Sequence, residues 1–256
     1  MFYLSRPNLK KTALLSLCLL VVGCAANDTL QSTAPLTQKE QNLIQLARAS
    51  ENAPNISQSV RLYEQAIDLS KGNVEAHMAL ANLYDRKNMR DKALQVMLDA
   101  KKKQPTHPII NQQLGKYYLY KADEEKALTY YNDGLKHNPH NAALLNGKGL
   151  ALVSLGRNQE AQAAYNQGLI APSDIRDELL YNLATSHMLT GDYDKALSYL
   201  TTIEPKGNAV RKQLAVVHSL KGNKNSARKW RGKNISKDAV DKSAVFYRSY
   251  YDNSQK

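Results

Sequence analysis

The chain has 256 residues, with 35 Lys and Arg against 23 Asp and Glu, for a formal net charge of +12. That length accommodates one or two ordinary domains, or a single elongated array of repeats. Its two cysteines, Cys18 and Cys24, fall in the first tenth of the sequence, so the rest offers no disulfide framework and no thiolate metal site. Tyr is abundant at 15 and Phe scarce at 2, which suits half-buried helix faces where a hydroxyl reaches water.

In chain order, the first element is a leader. Arg6, Lys10 and Lys11, with no acidic residue, precede the apolar run from Ala13 to Val22. The run falls well short of the ~20 residues that span a bilayer, so it predicts a secretory signal over residues 1–23 rather than a membrane helix. The alternative is a buried N-terminal helix. The segment ends Val21, Val22, Gly23, Cys24, which resembles a bacterial lipobox. The resemblance implies that Cys24 is lipidated and becomes the mature N-terminus. More than one acyl chain is needed for stable anchoring, at about 0.8 kcal/mol per buried methylene. Ala25, rather than aspartate, follows the cysteine, which implies sorting to the periplasmic face of the outer membrane. Residues 24–38 are polar and read as a flexible tether between lipid and body.

From there the sequence repeats. Leu80-Ala81, Leu114-Gly115 and Lys148-Gly149 are spaced 34 apart, as are Ala93, Ala127 and Ala161, and Met97, Tyr131 and Tyr165. Pro105 and Pro139 close two of the units. Small, aromatic and proline anchors at this period resemble the tetratricopeptide (TPR) pattern, which implies an all-α, right-handed α-α superhelix of helix hairpins. A first, weak repeat covers 40–73, with Leu43, Leu46 and Ala47 on one face of its first helix, Tyr63, Ala66 and Ile67 on its second, and a turn at Pro54-Asn55. Repeats follow at 74–107, 108–141, 142–175 and 177–210, and a shortened sixth starts near Asn208. The whole array spans 39–235. Gly115 and Gly149 are expected opposite Ala127 and Ala161, where helices approach closely. Tyr118, Tyr131 and Tyr165 should fill the space between repeats. Asp123, Asn158 and Asp192 are expected in the turns within repeats. Ser236 reads as the N-cap of a last helix over 237–251, within a tail of 236–256, that would cover the exposed end of the array.

No constellation for catalysis stands out, and the sequence predicts neither an enzyme nor a metal or other cofactor. His137 and His140 flank Pro139 in a predicted turn, which is poor geometry for a metal pair. Gly147-Lys148-Gly149 follows no strand, so helix packing explains it better than a dinucleotide loop. The expected site is instead the inner face of the first helices, with Met78, Asn82, Asp85 and Arg86 in repeat two, Gln112, Lys116 and Tyr120 in repeat three, Asn146 and Leu150 in repeat four, and Tyr181, Asn182, Thr185 and Met188 in repeat five. Amides, cations and a tyrosine along a groove suit an extended peptide. The same positions read equally as ordinary solvated surface.

The charge is unevenly placed. Residues 24–204 hold 19 Lys/Arg and 20 Asp/Glu, whereas residues 205–256 hold 13 and 3. A basic patch at Lys229, Arg231 and Lys233 therefore points to an acidic partner or an anionic surface, or serves solubility alone. Nucleic acid is not expected, because the leader directs the chain out of the cytoplasm.

The run Arg211, Leu214, Ala215, Leu220, Gly222, Ala227, followed by Ile235, Ser236, Val240 and then Phe246, Tyr247, Arg248, resembles the TadD-type TPR lipoproteins of tight-adherence (Flp) pilus systems. The resemblance covers most of residues 13–250. It implies a non-catalytic assembly factor whose partner is the secretin or another pilus component, with no small-molecule substrate. Two further readings remain open: a pilotin of the type IV pilus system, and an adaptor that recruits peptidoglycan hydrolases.

Overall fold

The computed structural model describes residues 36–52, 56–69 and 74–255. Among them are thirteen helices and no strand: α1 (Gln38–Ser50), α2 (Ser57–Leu69), α3 (Glu75–Arg86), α4 (Arg90–Lys103), α5 (Pro108–Tyr120), α6 (Glu124–His137), α7 (Ala142–Ser154), α8 (Asn158–Gly168), α9 (Arg176–Leu189), α10 (Tyr193–Thr202), α11 (Asn208–Leu220), α12 (Lys224–Arg231) and α13 (Lys237–Ser254). They form six helix hairpins, from α1–α2 to α11–α12, followed by α13. Each hairpin packs on the next, and the first helices α5, α7, α9 and α11 touch in succession. This is the α-α superhelix that the 34-residue period predicts.

Local chemistry sets the helix boundaries. Thr37 and Glu40 form a capping box at the start of α1. The side chains of Asp123, Asn141, Asp192 and Ser236 accept hydrogen bonds from the backbone N–H groups of Lys126, Leu144, Lys195 and Ala239, which opens α6, α7, α10 and α13. α4 and α6 stop two residues before Pro105 and Pro139, since proline lacks the amide donor and disfavours helix in the residue before it.

The core is a chain of four clusters rather than one centre, each shared between adjacent hairpins. Three expectations change in detail. In α1 the buried face is Glu40, Ile44 and Ala47, at i, i+4 and i+7, and Leu46 falls outside it at 57 % exposure. Gly115 and Gly149 face rings rather than alanines. A Cβ on Gly115 would lie 2.6 Å from the Tyr131 ring and one on Gly149 2.3 Å from the Tyr165 ring. Gly147 meets Tyr131 from the other side, also at 2.3 Å, so that ring is held between α5 and α7. Third, Asn158 is not a turn residue. The left-handed turn position recurs at Asn88, Ala122, Gly156, Gly191 and Gly222, and the residue aligned with Asp123 is Arg157. Asn158 is the first residue of α8 and is buried. The Pro54-Asn55 turn lies outside the described residues.

The last helix covers the end of the array as expected and reaches further along it. Ser236 caps it as the sequence predicts, and it runs three residues further than expected, to Ser254. It packs chiefly on α11 of the last hairpin and continues onto α9, burying Val240, Ala244 and Tyr247 with Met188, Ala184 and Val217. Its far end reaches the turn of the fourth hairpin, where Asn158 Nδ2 donates to the Tyr250 hydroxyl at 3.3 Å.

Candidate functional site

The first helices present two rows of residues at intervals of 34 and, in the last step, 35: Met78, Gln112, Asn146 and Tyr181, and, one turn on, Asn82, Lys116, Leu150 and Thr185. The rows follow directly from stacking equivalent helices, because equal positions in successive repeats meet on one surface. α13 divides that surface in two.

Over α9 and α11 the face is occupied. Gln213 Nε2 donates to Thr185 Oγ1 at 3.3 Å and to the Tyr247 hydroxyl at 3.0 Å. Met188 is fully buried, and burial pushes the phenols of Tyr181 and Tyr247 above their usual range. The predicted positions Tyr181 and Thr185 therefore face the chain's own last helix. Asn146 is also buried, because its Nδ2 donates to Glu178 Oε1 at 2.7 Å and its Oδ1 accepts from Asn182 Nδ2 at 2.9 Å. These two amides tie α7 to α9.

Over α3 to α7 the face is open. Asn82 and Lys116 are exposed, Gln112 is half-buried, and Leu150 is exposed. Tyr120, at the end of α5, is 56 % exposed between two cations, Arg90 with Cζ 4.8 Å from the ring centre and Lys116 with Nζ 5.9 Å from it. Arg86 is paired with Glu51, which also accepts from the Tyr63 hydroxyl at 2.5 Å. The Tyr117 hydroxyl donates to Asp85 Oδ2 at 2.7 Å. These bonds fix the floor of the groove and leave Asn82, Lys116 and Tyr120 available above it.

The basic patch is elsewhere. Lys229 and Lys233 are exposed on and after α12, and Arg231 donates to the Ile235 carbonyl at 2.9 Å. α12 packs chiefly on α11, so the patch and the open groove are separate surfaces at different ends of the array. Cys24 lies outside the described residues. Among the described residues no group of three potential metal ligands gathers, and no helix is long and apolar enough to cross a membrane.

Asn82 and Lys116 stand 34 residues apart with Tyr120 one turn beyond Lys116, on the kind of extended surface that repeat arrays use for binding. The tetratricopeptide-repeat family profile matches residues 55–113, 113–175 and 151–209. The chain is a tetratricopeptide-repeat protein. Its fold is similar to that of PilW, described as a widely conserved type IV pilus biogenesis factor, with a TM-score of 0.65 and 18 % identity over 86 % of this chain and 100 % of that one. It is similar to Pseudomonas aeruginosa PilF at a TM-score of 0.62 and 13 % identity, over 85 % and 96 % of the two chains. A thermophilic TPR protein of Thermus thermophilus matches at 0.54 and 24 % identity over 70 % of this chain and 98 % of that one. Among curated sequences, the Saccharomyces cerevisiae peroxisomal targeting signal receptor is 33 % identical over 97 residues, which is 38 % of this chain but only 16 % of the receptor. TPR folds of this kind mostly serve protein–protein interaction rather than catalysis.

The sequence alone did not single out Gln213 or Arg90. Gln213 lies 31 residues after its counterpart Asn182, off the 34-residue grid because the interval from the fifth hairpin to the sixth is short. Arg90 opens a second helix and reaches the groove only through the ring of Tyr120.

Proposed function

We propose that this protein is a non-catalytic lipoprotein scaffold that assists assembly of a tight-adherence (Flp) pilus and its secretin. In this reading Cys24 carries the lipid that holds the protein at the periplasmic face of the outer membrane. The polar tether lets the array stand off the bilayer. The open face around Asn82, Lys116 and Tyr120 receives an extended segment of the partner. The observation that carries the reading is that face: an exposed tyrosine with two cations over its ring beside the exposed Asn82 amide, on an array of stacked hairpins. The lipobox-like start and the likeness in fold to pilus biogenesis factors support the setting. The match to a receptor named for a targeting signal supports a peptide as the thing held.

The fold likeness to PilW and PilF equally favours the neighbouring reading of a type IV pilus pilotin. Pull-down from cells carrying both systems separates the two. A variant with Asn82→Ala, Lys116→Ala and Tyr120→Ala changes only exposed side chains, and it should stay helical and lose the captured secretin. Retention of the partner by that variant removes the groove from the reading, and capture of a peptidoglycan hydrolase in place of a secretin replaces it with the adaptor role. Membrane fractionation of Cys24→Ser tests the anchor, because the variant should become soluble.

A further inference from the structure

The sixth hairpin and α13 enclose a cleft of about 440 Å³ at the basic end of the molecule. Four cations line it: Lys224, Arg228 and Arg231 from α12, and Lys237 from α13. The first three stand at i, i+4 and i+7, so they form one stripe along a single helical face, about 10 Å long at 1.5 Å per residue. Of these four, only Lys237 has a carboxylate of a described residue within ion-pair distance, Asp241 at 3.9 Å. Arg231 is held in place by its bond to the Ile235 carbonyl at 2.9 Å. α12 buries none of its residues fully, so the core does not require this face to be basic. Aligned, uncompensated cations repel one another, and a solubilising surface would spread them instead.

We propose that this cleft is a second binding site, for an acidic segment of a polypeptide. The proposal rests on the scaffold reading only in taking the ligand to be protein; its site is distinct from the groove of α3 to α7. Charge complementarity selects an anionic ligand. The rest of the lining selects its class. Ala227 and Val240 give the cleft an apolar floor, which suits side-chain methylenes. Ser219 and Asp241 add acceptors at its edge. A phosphate group has no N–H to offer a carboxylate, whereas a peptide backbone does.

The test uses the full chain and a fluorescein-labelled peptide of alternating Glu and Ala, read by anisotropy. Saturable binding is expected that weakens with added salt. R228Q/R231Q should reduce affinity by about tenfold, the sum of two exposed charge contacts. K224Q/R228Q, which leaves the Arg231 bond to the backbone intact, should do the same, so misfolding cannot account for both. D241N should tighten binding severalfold, because it removes a negative charge from the cleft and frees Lys237 from its ion pair. Displacement of the peptide by an equal concentration of inorganic phosphate marks a bare oxyanion site and overturns the proposal. Binding unaffected by either double variant, or no saturable binding, also overturns it. So does association with phosphatidylglycerol vesicles that shows the same variant sensitivity as the peptide. A groove variant, N82A/K116A, should bind this peptide normally, so loss of the cleft leaves the groove reading standing, and the reverse holds.

Discussion

Gln213 and Tyr247 are the joint between the array and its last helix: the Gln213 side-chain amide donates to the Tyr247 hydroxyl at 3.0 Å, with both residues buried. The bond crosses from α11 to α13, and the Tyr247 ring packs in the same cluster as Met188 and Val217. Two replacements should separate ring from hydroxyl. Tyr247→Phe leaves Gln213 still bonded to Thr185 and should cost about 1 kcal/mol. Tyr247→Ala also leaves a cavity and should cost about 3–5 kcal/mol. Denaturant unfolding followed by circular dichroism measures both, and equal losses would mean that the ring contributes nothing.

Ala122 adopts φ 53° in the turn of the third hairpin, where Gly156, Gly191 and Gly222 stand in later hairpins. A side chain in this left-handed region costs roughly 1–2 kcal/mol. Glycine would relieve that and lose about 0.4–1 kcal/mol through the greater freedom of the unfolded chain. Ala122→Gly should therefore stabilise the protein by about 0.5 kcal/mol net, whereas Ala100→Gly inside α4 should destabilise it by about 1 kcal/mol at least. Thermal unfolding of the two variants checks the opposite signs.

The buried tyrosines should make the array sensitive to alkali. Burial pushes the phenols of Tyr63, Tyr117, Tyr131 and Tyr165 well above the usual tyrosine range. For Tyr63 and Tyr117 the bonds to the Glu51 and Asp85 carboxylates add to the effect. In the unfolded chain these groups lose their protons at about pH 10, as an ordinary tyrosine does. Above that pH the unfolded state binds fewer protons than the folded one, so stability falls as pH rises, by up to about 1.4 kcal/mol per pH unit for each such tyrosine. Below about pH 9.5 their contribution is constant. Urea midpoints taken from about pH 8 to about pH 11 should be flat at first and then drop, and Tyr165→Phe should make the drop shallower.

Much of this molecule is legible in its amino-acid order, because a repeat array is built from local and nearest-neighbour contacts. The interval of Ala93, Ala127 and Ala161 is enough to set hairpin, period and stacking, since each unit buries its face only on the next. Pro105 and Pro139 mark helix ends, and Ser236 marks the start of the last helix, by backbone rules that act within a few residues. The two rows of inner-face positions follow from the same arithmetic.

What the order of residues could not give is the placement of α13. Whether an amphipathic helix closes the end of an array or folds back along its inner face depends on which surface offers the better fit, and that contact joins residues more than thirty positions apart. Gln213, Thr185 and Tyr247 carry no local signature of meeting. Only the tertiary structure brings them together, and in doing so it decides which half of the groove the chain keeps for itself and which half, around Asn82, Lys116 and Tyr120, stays open.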